Sequence, residues 1–399
     1  MNRLRSIVAL ALIVSASTAV TAQEQEPKEQ GYTFTMVKEV KTTDVENQHR
    51  SSTCWSFSGV AFLETELLRM GKPAVDLSEM YIVRHTYAGK AEKYVRLQGS
   101  MNFAGGGSFY DVIETIKKYG IVPEQAYPGL SYGEEAHVHG ELDAVTKAYI
   151  DAVIKNPNRK LSTAWKAGFD GILDAYLGVR PSTFTYNGKE YTPKSYAESL
   201  GLNINDYVYV TSYSHHPFYS NFVLEVPDNW AWGGVYNLPL DEFAQVFDHA
   251  IDNGYSVAWA SDISEKGFSY QNGVAVVPEA NVAEMSDSEK SKWTDLSPRE
   301  KEAMLYKFES PSFEKKITQE MRQDAFDNYQ TTDDHGMLIV GIAKDQKGNK
   351  YYKVKNSWGT TDKYNGFFFA SEPFVLYKTM SIMVHKNAIP KDIAKKLKL

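Results

Sequence analysis

The chain has 399 residues, enough for two or three ordinary domains and ample for a large buried core. Hydrophobic residues make up 43% and charged residues 23%, near the soluble globular average, which excludes a disordered chain, a coiled coil or a collagen. A net charge of −7, from 43 basic and 50 acidic residues, leaves no basic excess to draw the molecule to nucleic acid or anionic lipid.

In chain order, Arg3 and Arg5 form a basic start and residues 7–14 (IVALALIV) a short apolar run. Val20, Thr21 and Ala22 then give a small-residue cleavage pattern. This predicts a cleaved signal peptide over 1–22, with Gln23 as the mature start. The apolar run is too short to span a bilayer, so no stable membrane insertion is expected after cleavage. Removing Arg3 and Arg5 takes the charge from −7 to −9. The expected destination is the periplasm or the extracellular space. Exported proteins often carry disulfides in pairs. This one has a single cysteine, Cys54, which is a liability there unless buried or used.

Residues 23–30 are charged and read as a flexible segment. Residues 54–70 repeat apolar side chains at helical spacing, with Ser51, Ser52 and Thr53 as cap candidates and Gly71 and Pro73 as a stop. A second helix begins near Leu77. Residues 103–107 form a glycine-rich loop, and 109–119 an amphipathic helix ended by Gly120. Residues 131–205 read as mainly helical and polar, without legible chemistry. Runs at 208–226 and 256–277 are fit for strands. Residues 283–325 read as a charged, helix-prone solvated excursion. Residues 337–343 and 350–357 read as a hairpin joined through 345–349. No repeat or low-complexity linker divides the chain.

Three patches carry chemistry: Gln48 to Phe57, Asp333 to Met337, and Asn356 to Gly359. Cys54 at a helix N-terminus feels the positive end of the macrodipole, which favours the nucleophilic thiolate. An imidazolium at His335 would stabilise it further, so the expected resting state is a Cys54–His335 ion pair. Asn356 would hold the imidazole's tautomer without pulling its proton away. Gln48, six residues before Cys54, can set its amide beside the Cys54 backbone N–H. Two donors would then face an oxyanion, each worth roughly 3–4 kcal/mol. Trp358 reads as packing that shields the His335–Asn356 bond.

Together these patches resemble the papain-like cysteine peptidases. The stretch from Gly106 and Gly107 through Tyr119, Gly120 and Ile121 to Ala126, Tyr127 and Pro128 is similar to that family's substrate cleft. The sequence at 50–55, the run at 322–329 and the 332–337 patch narrow the likeness to the bleomycin hydrolase and bacterial aminopeptidase C branch. The resemblance implies an α+β papain-like two-lobe fold, with a helical left lobe and a β-barrel-like right lobe. It divides the chain into a peptidase domain over 31–386, with insertions around 131–205 and 279–330, and a C-terminal arm over 387–399. It implies Cys54, His335, Asn356 and Gln48 as the catalytic set, with Trp55, Gly106 and Gly107 along the peptide cleft. It also implies a homo-oligomer, a hexamer around an internal chamber. In the branch the terminal carboxylate meets the substrate's α-amine, which would here be Leu399. This tail departs from the branch's longer, tryptophan-containing arm. Thirteen extended residues span roughly 40 Å, yet 390 onward also reads as a short basic amphipathic helix docked on the surface.

The expected activity is removal of residues from peptide N-termini through a thioester acyl-enzyme, with no metal or organic cofactor. An endopeptidase or dipeptidyl peptidase, or a non-catalytic peptide-binding module, are the alternatives. The glycine loop lacks the strand–helix setting of a phosphate loop. His215 with His216, and His137 with His139, read as surface loops and not metal sites, because no carboxylate cluster completes them. Asp333 and Asp334 read either as tuning His335 or as solvated loop.

Overall fold

A computed structural model describes residues 31–399; the predicted signal peptide and the segment 23–30 lie outside the described residues. Helices in the first half are α1 (Cys54–Arg69), α2 (Glu79–Arg96), α3 (Phe109–Tyr119), α4 (Gly140–Ile154), α5 (Ala164–Leu177) and α6 (Pro193–Leu200). Those in the second half are α7 (Leu240–Asp252), α8 (Asp287–Asp295), α9 (Pro298–Leu305), α10 (Gln319–Asp327), α11 (Glu372–Lys378) and α12 (Lys391–Leu397). The strands are β1 (Phe34–Glu39), β2 (Phe184–Tyr186), β3 (Lys189–Tyr191), β4 (Tyr207–Thr211), β5 (Asn221–Val223), β6 (Gly234–Asn237) and β7 (Val257–Ser261). They continue with β8 (Phe268–Ser269), β9 (Val274–Ala275), β10 (His335–Asp345), β11 (Lys350–Lys355), β12 (Phe367–Ser371) and β13 (Thr379–His385).

Two hydrophobic cores sit side by side. One gathers apolar faces of α1 to α6, among them Phe62, Leu63, Val83, Val112 and Leu173. The other fills the space around the large sheet and α7, with Phe243, Phe247, Trp259, Ile339 and Tyr352. That sheet runs β5-β6-β4-β13-β7-β10-β11-β12-β9-β8, with β1 paired to β10. This is the α+β papain-like architecture. Helix α1 is buried from Trp55 to Leu67, as a helix apolar on nearly all sides must be. Its polar members are satisfied locally: Ser56 Oγ donates to Glu79 O and Thr65 Oγ1 to Ala61 O.

The helix α1 and the β10–β11 hairpin expected from sequence are present within two residues at each end. The turn is built by Asp345, whose carboxylate accepts the Lys347 and Asn349 N–H groups, while Gly348 supplies φ +86°. Other expectations need correction. Within 131–205 a small hairpin, β2–β3, interrupts the helices. Its Asn187-Gly188 turn has φ of 49° and 74°, the type I′ signal that was present in the sequence and overlooked. The charged excursion is solvated only at α8 and α9, which bury no residue. Helix α10 instead buries Arg322, whose Nε donates to Ser212 O at 2.7 Å.

Candidate active site

Cys54 opens α1 and Thr53 caps it through its backbone only: the Thr53 hydroxyl bonds to Ser51, while Thr53 O accepts the Ser56 and Phe57 N–H groups. Strand β10 is laid on this turn through Gly336. A methyl there would come within 2.7 Å of Ser58 Oγ and 3.2 Å of Trp55 Cα, so only glycine allows the approach. His335, one residue earlier, thereby lines the same cleft as Cys54. The antiparallel register sets Leu338 opposite Lys355, which carries Asn356 and Trp358 up to the level of His335.

Asn356 Oδ1 lies 2.8 Å from His335 Nε2 and accepts the Ser357 N–H at 2.9 Å. An oxygen accepting from Ser357 must also accept from the ring. That puts the imidazole proton on Nε2 and the lone pair on Nδ1. Trp358 covers the ring at 4.9 Å between centroids, as a shield against water. Gln48 is buried, and its Oε1 accepts from Ser357 Oγ at 2.7 Å, which fixes the orientation of its amide and ties it to the Asn356 segment. The structure therefore brings Cys54, His335, Asn356 and Gln48 together.

Burial pushes the Cys54 thiol up to about 12, with Asp228 and Asp333 adding to the rise; the Gly336 and Trp55 N–H groups on the sulfur oppose it. Burial also pushes the His335 imidazole down to about 4, against the Asn356 bond. Burial thus works against the ion pair expected from sequence, because each group is pushed toward its neutral form. Moving the proton from Sγ to Nδ1 charges both groups at once, and their mutual attraction offsets the desolvation each would suffer alone.

The predicted cleft residues separate. Gly107 and Trp55 line the cavity, with a methyl on Gly107 falling 2.7 Å from the Trp55 indole. Gly106 is not among the cavity-lining residues, and the Asp228 carboxylate rests against it where a side chain would be. Leu399 is not among the cavity-lining residues. Its N–H donates to Ala394 O at the end of α12, and Ile393 and Leu397 of that helix are packed into the right-lobe core. The docked-helix reading of the tail prevails over the extended arm, because burying two large apolar side chains outweighs an unpaired strand.

Asp333 and Asp334 also part company. Both line the cavity, but Asp334 is held by the Ile263 and Ser264 N–H groups, whereas no protein donor among the described residues reaches Asp333. His139, read as surface loop, is fully buried. His215 and His216 are joined by Glu225, at 3.1 and 2.9 Å from their Nε2 atoms, a carboxylate the sequence did not place there. These three form a group that could hold a metal ion. Asp228, Lys90 and the orienting role of Ser357 were missed; only Ser357, inside the Asn-Ser-Trp-Gly patch, had a local signal.

A thiol at a buried helix N-terminus, an imidazole on the same cleft fixed by an asparagine, and a glutamine amide held to the asparagine segment define a papain-like cysteine peptidase. Comparison with known proteins agrees. Residues 33–213 match the papain family cysteine protease profile and 301–399 that of the Peptidase C1-like family. The chain is 23% identical to aminopeptidase G of Lactobacillus delbrueckii subsp. lactis, over 89% of this chain and 83% of that protein. It is 22% identical to aminopeptidase C of Streptococcus thermophilus, over 86% and 80%. The crystal structure of pepw from Lactobacillus rhamnosis shares the fold, with a TM-score of 0.68 at 20% identity over 91% of this chain and 84% of that one. The chain belongs to the papain-like cysteine peptidases.

Proposed function

We propose that the protein is an exported aminopeptidase that releases residues from peptide N-termini by a Cys–His–Asn mechanism. One observation carries the catalytic reading: Asn356 Oδ1 fixes the proton on His335 Nε2 and leaves Nδ1 as the base in the cavity that holds Cys54. Nδ1 takes the thiol proton as Sγ attacks the scissile carbonyl carbon. The oxyanion forms between the Gln48 amide and the Cys54 backbone N–H. His335 returns the proton to the leaving amine, the C–N bond breaks and a thioester remains. Water, deprotonated by His335, then releases the acid and restores the thiol. The aminopeptidase half of the reading is supported by the names of the relatives, and export by the leader pattern at 1–22.

Mass spectrometry of products from free and N-acetylated peptides tests it. Single residues should leave the free peptides, the acetylated ones should stay intact, and Cys54→Ser should lose about 10³-fold or more of the rate. Undiminished hydrolysis by Cys54→Ser, or internal cleavage of acetylated peptides, would refute the reading.

A further inference from the structure

An enzyme that cuts after one residue needs two things beyond its nucleophile: a wall that ends the cleft, and an anion on that wall to receive the substrate's ammonium group. The docked α12 helix supplies neither. The connection between β5 and β6, residues 224–233, supplies both. It leaves the right-lobe sheet and reaches across to the left lobe. There Trp230 Nε1 donates to Asp111 Oδ2 of α3 at 3.1 Å, and the indole lies against Gly89 of α2. Lys93 of α2 lies 3.5 Å over the Trp232 ring. Buried Asn229 stiffens the strap from within: its Nδ2 donates to Leu224 O and Gly233 O, and its Oδ1 accepts the Gly233 N–H.

This clamped strap carries Asp228 onto Gly106, at the place where an extended peptide would otherwise continue past the cleft. Asp333 faces the same cavity from the loop before β10. Asp228 and Asp333 thus line one cavity with Cys54, and burial, with the charges of Asp228 and Asp334, pushes Asp333 up to about 8, so an arriving ammonium would favour its ionised form. Among the described residues neither carboxylate accepts a hydrogen bond. The cation acting on Asp228, Lys90, spends its ammonium on the carbonyls of Ala104 and Gly106. Two carboxylates thus face a peptide cleft without a full complement of positive charge.

We propose that the 224–233 strap closes the cleft and that Asp228 and Asp333 receive the α-ammonium of the substrate, the role the sequence reading had given to the Leu399 carboxylate. A free amine brings a positive charge and hydrogen-bond donors to unpaired acceptors; an acetylated one brings neither the charge nor the space. The assignment rests on the aminopeptidase reading above.

The test compares KM and kcat of the full chain, Asp228→Asn and Asp333→Asn on one aminoacyl fluorogenic amide, free and N-acetylated. Circular dichroism and a cooperative thermal melt check that each variant is folded, and iodoacetamide labelling of Cys54 counts the accessible thiols. Loss of a charge-assisted contact should raise KM for the free substrate about 10–100-fold, with a smaller change in kcat, and shrink discrimination against the acetylated substrate by a similar factor. If the wild type discriminates and both folded variants keep its KM and its discrimination, the ammonium assignment is wrong. If the wild type itself cleaves both substrates alike, the aminopeptidase reading fails first, which is a distinguishable result.

Discussion

The Ser357 hydroxyl donates to Gln48 Oε1 at 2.7 Å and so fixes which end of that amide is free to donate in the proposed oxyanion site. Replacing Gln48 by alanine removes an oxyanion donor and should lower kcat by about 10²–10³-fold. Ser357→Ala leaves the donor but frees its rotamer. One lost hydrogen bond of about 1 kcal/mol corresponds to roughly a fivefold drop in kcat, with KM nearly unchanged. Steady-state kinetics on one substrate checks both, and an equal loss in the two variants would contradict the orienting role. At this scale the sequence was most legible where residues sit in contiguous patches, because the helix start at Cys54 and the strand start at His335 announce themselves locally. Asp228 and Lys90 gave no signal, since what matters about them is which glycine loop they meet after folding.

Helix α12 shows how an element can be legible in pattern and still misassigned in role. Its apolar spacing marks Ile393 and Leu397 as one face, and that face packs with α7 in the right-lobe core, where Lys396 also meets Glu242 at 2.5 Å. Leu397→Ala should therefore cost about 2–4 kcal/mol of stability by denaturant titration while leaving the preference for free N-termini intact. A specificity change without a stability loss would restore the tail to the active site. The strap over 224–233 is the opposite case. It lies in a strand-rich run that gave no reason to expect a bridge between lobes, because its anchors, Asp111 and Gly89, are more than a hundred residues upstream.

Over the whole molecule, buried titratable groups set the pH dependence of stability. Burial, with Asp76 and Glu46 adding to it, pushes Glu124 up to about 8, and burial pushes Glu64 up to about 7. Between an ordinary carboxyl value and these, the folded chain keeps protons that the unfolded chain has released, so stability falls as pH rises through this window. Buried His85 and His139, pushed down to about 3 and about 4, act in the other sense below pH ~6.5. Above that pH the carboxyl groups act alone. The urea midpoint should decline from pH ~6.5 to ~8, and Glu124→Gln should flatten the decline by at most about 2 kcal/mol. An identical slope in the variant would contradict the assignment.

The sequence by itself determined the nucleophile helix, the hairpin that presents the base, the asparagine that orients it and the family to which they belong. Each is written in neighbouring residues whose spacing and caps obey local rules. The tertiary structure alone decided that the tail packs as a helix, that burial pushes the Cys54 thiol up and the His335 imidazole down, and that two aspartates from distant loops share the cleft with the thiol. Those outcomes depend on desolvation and on contacts across more than a hundred residues, and no local pattern encodes either.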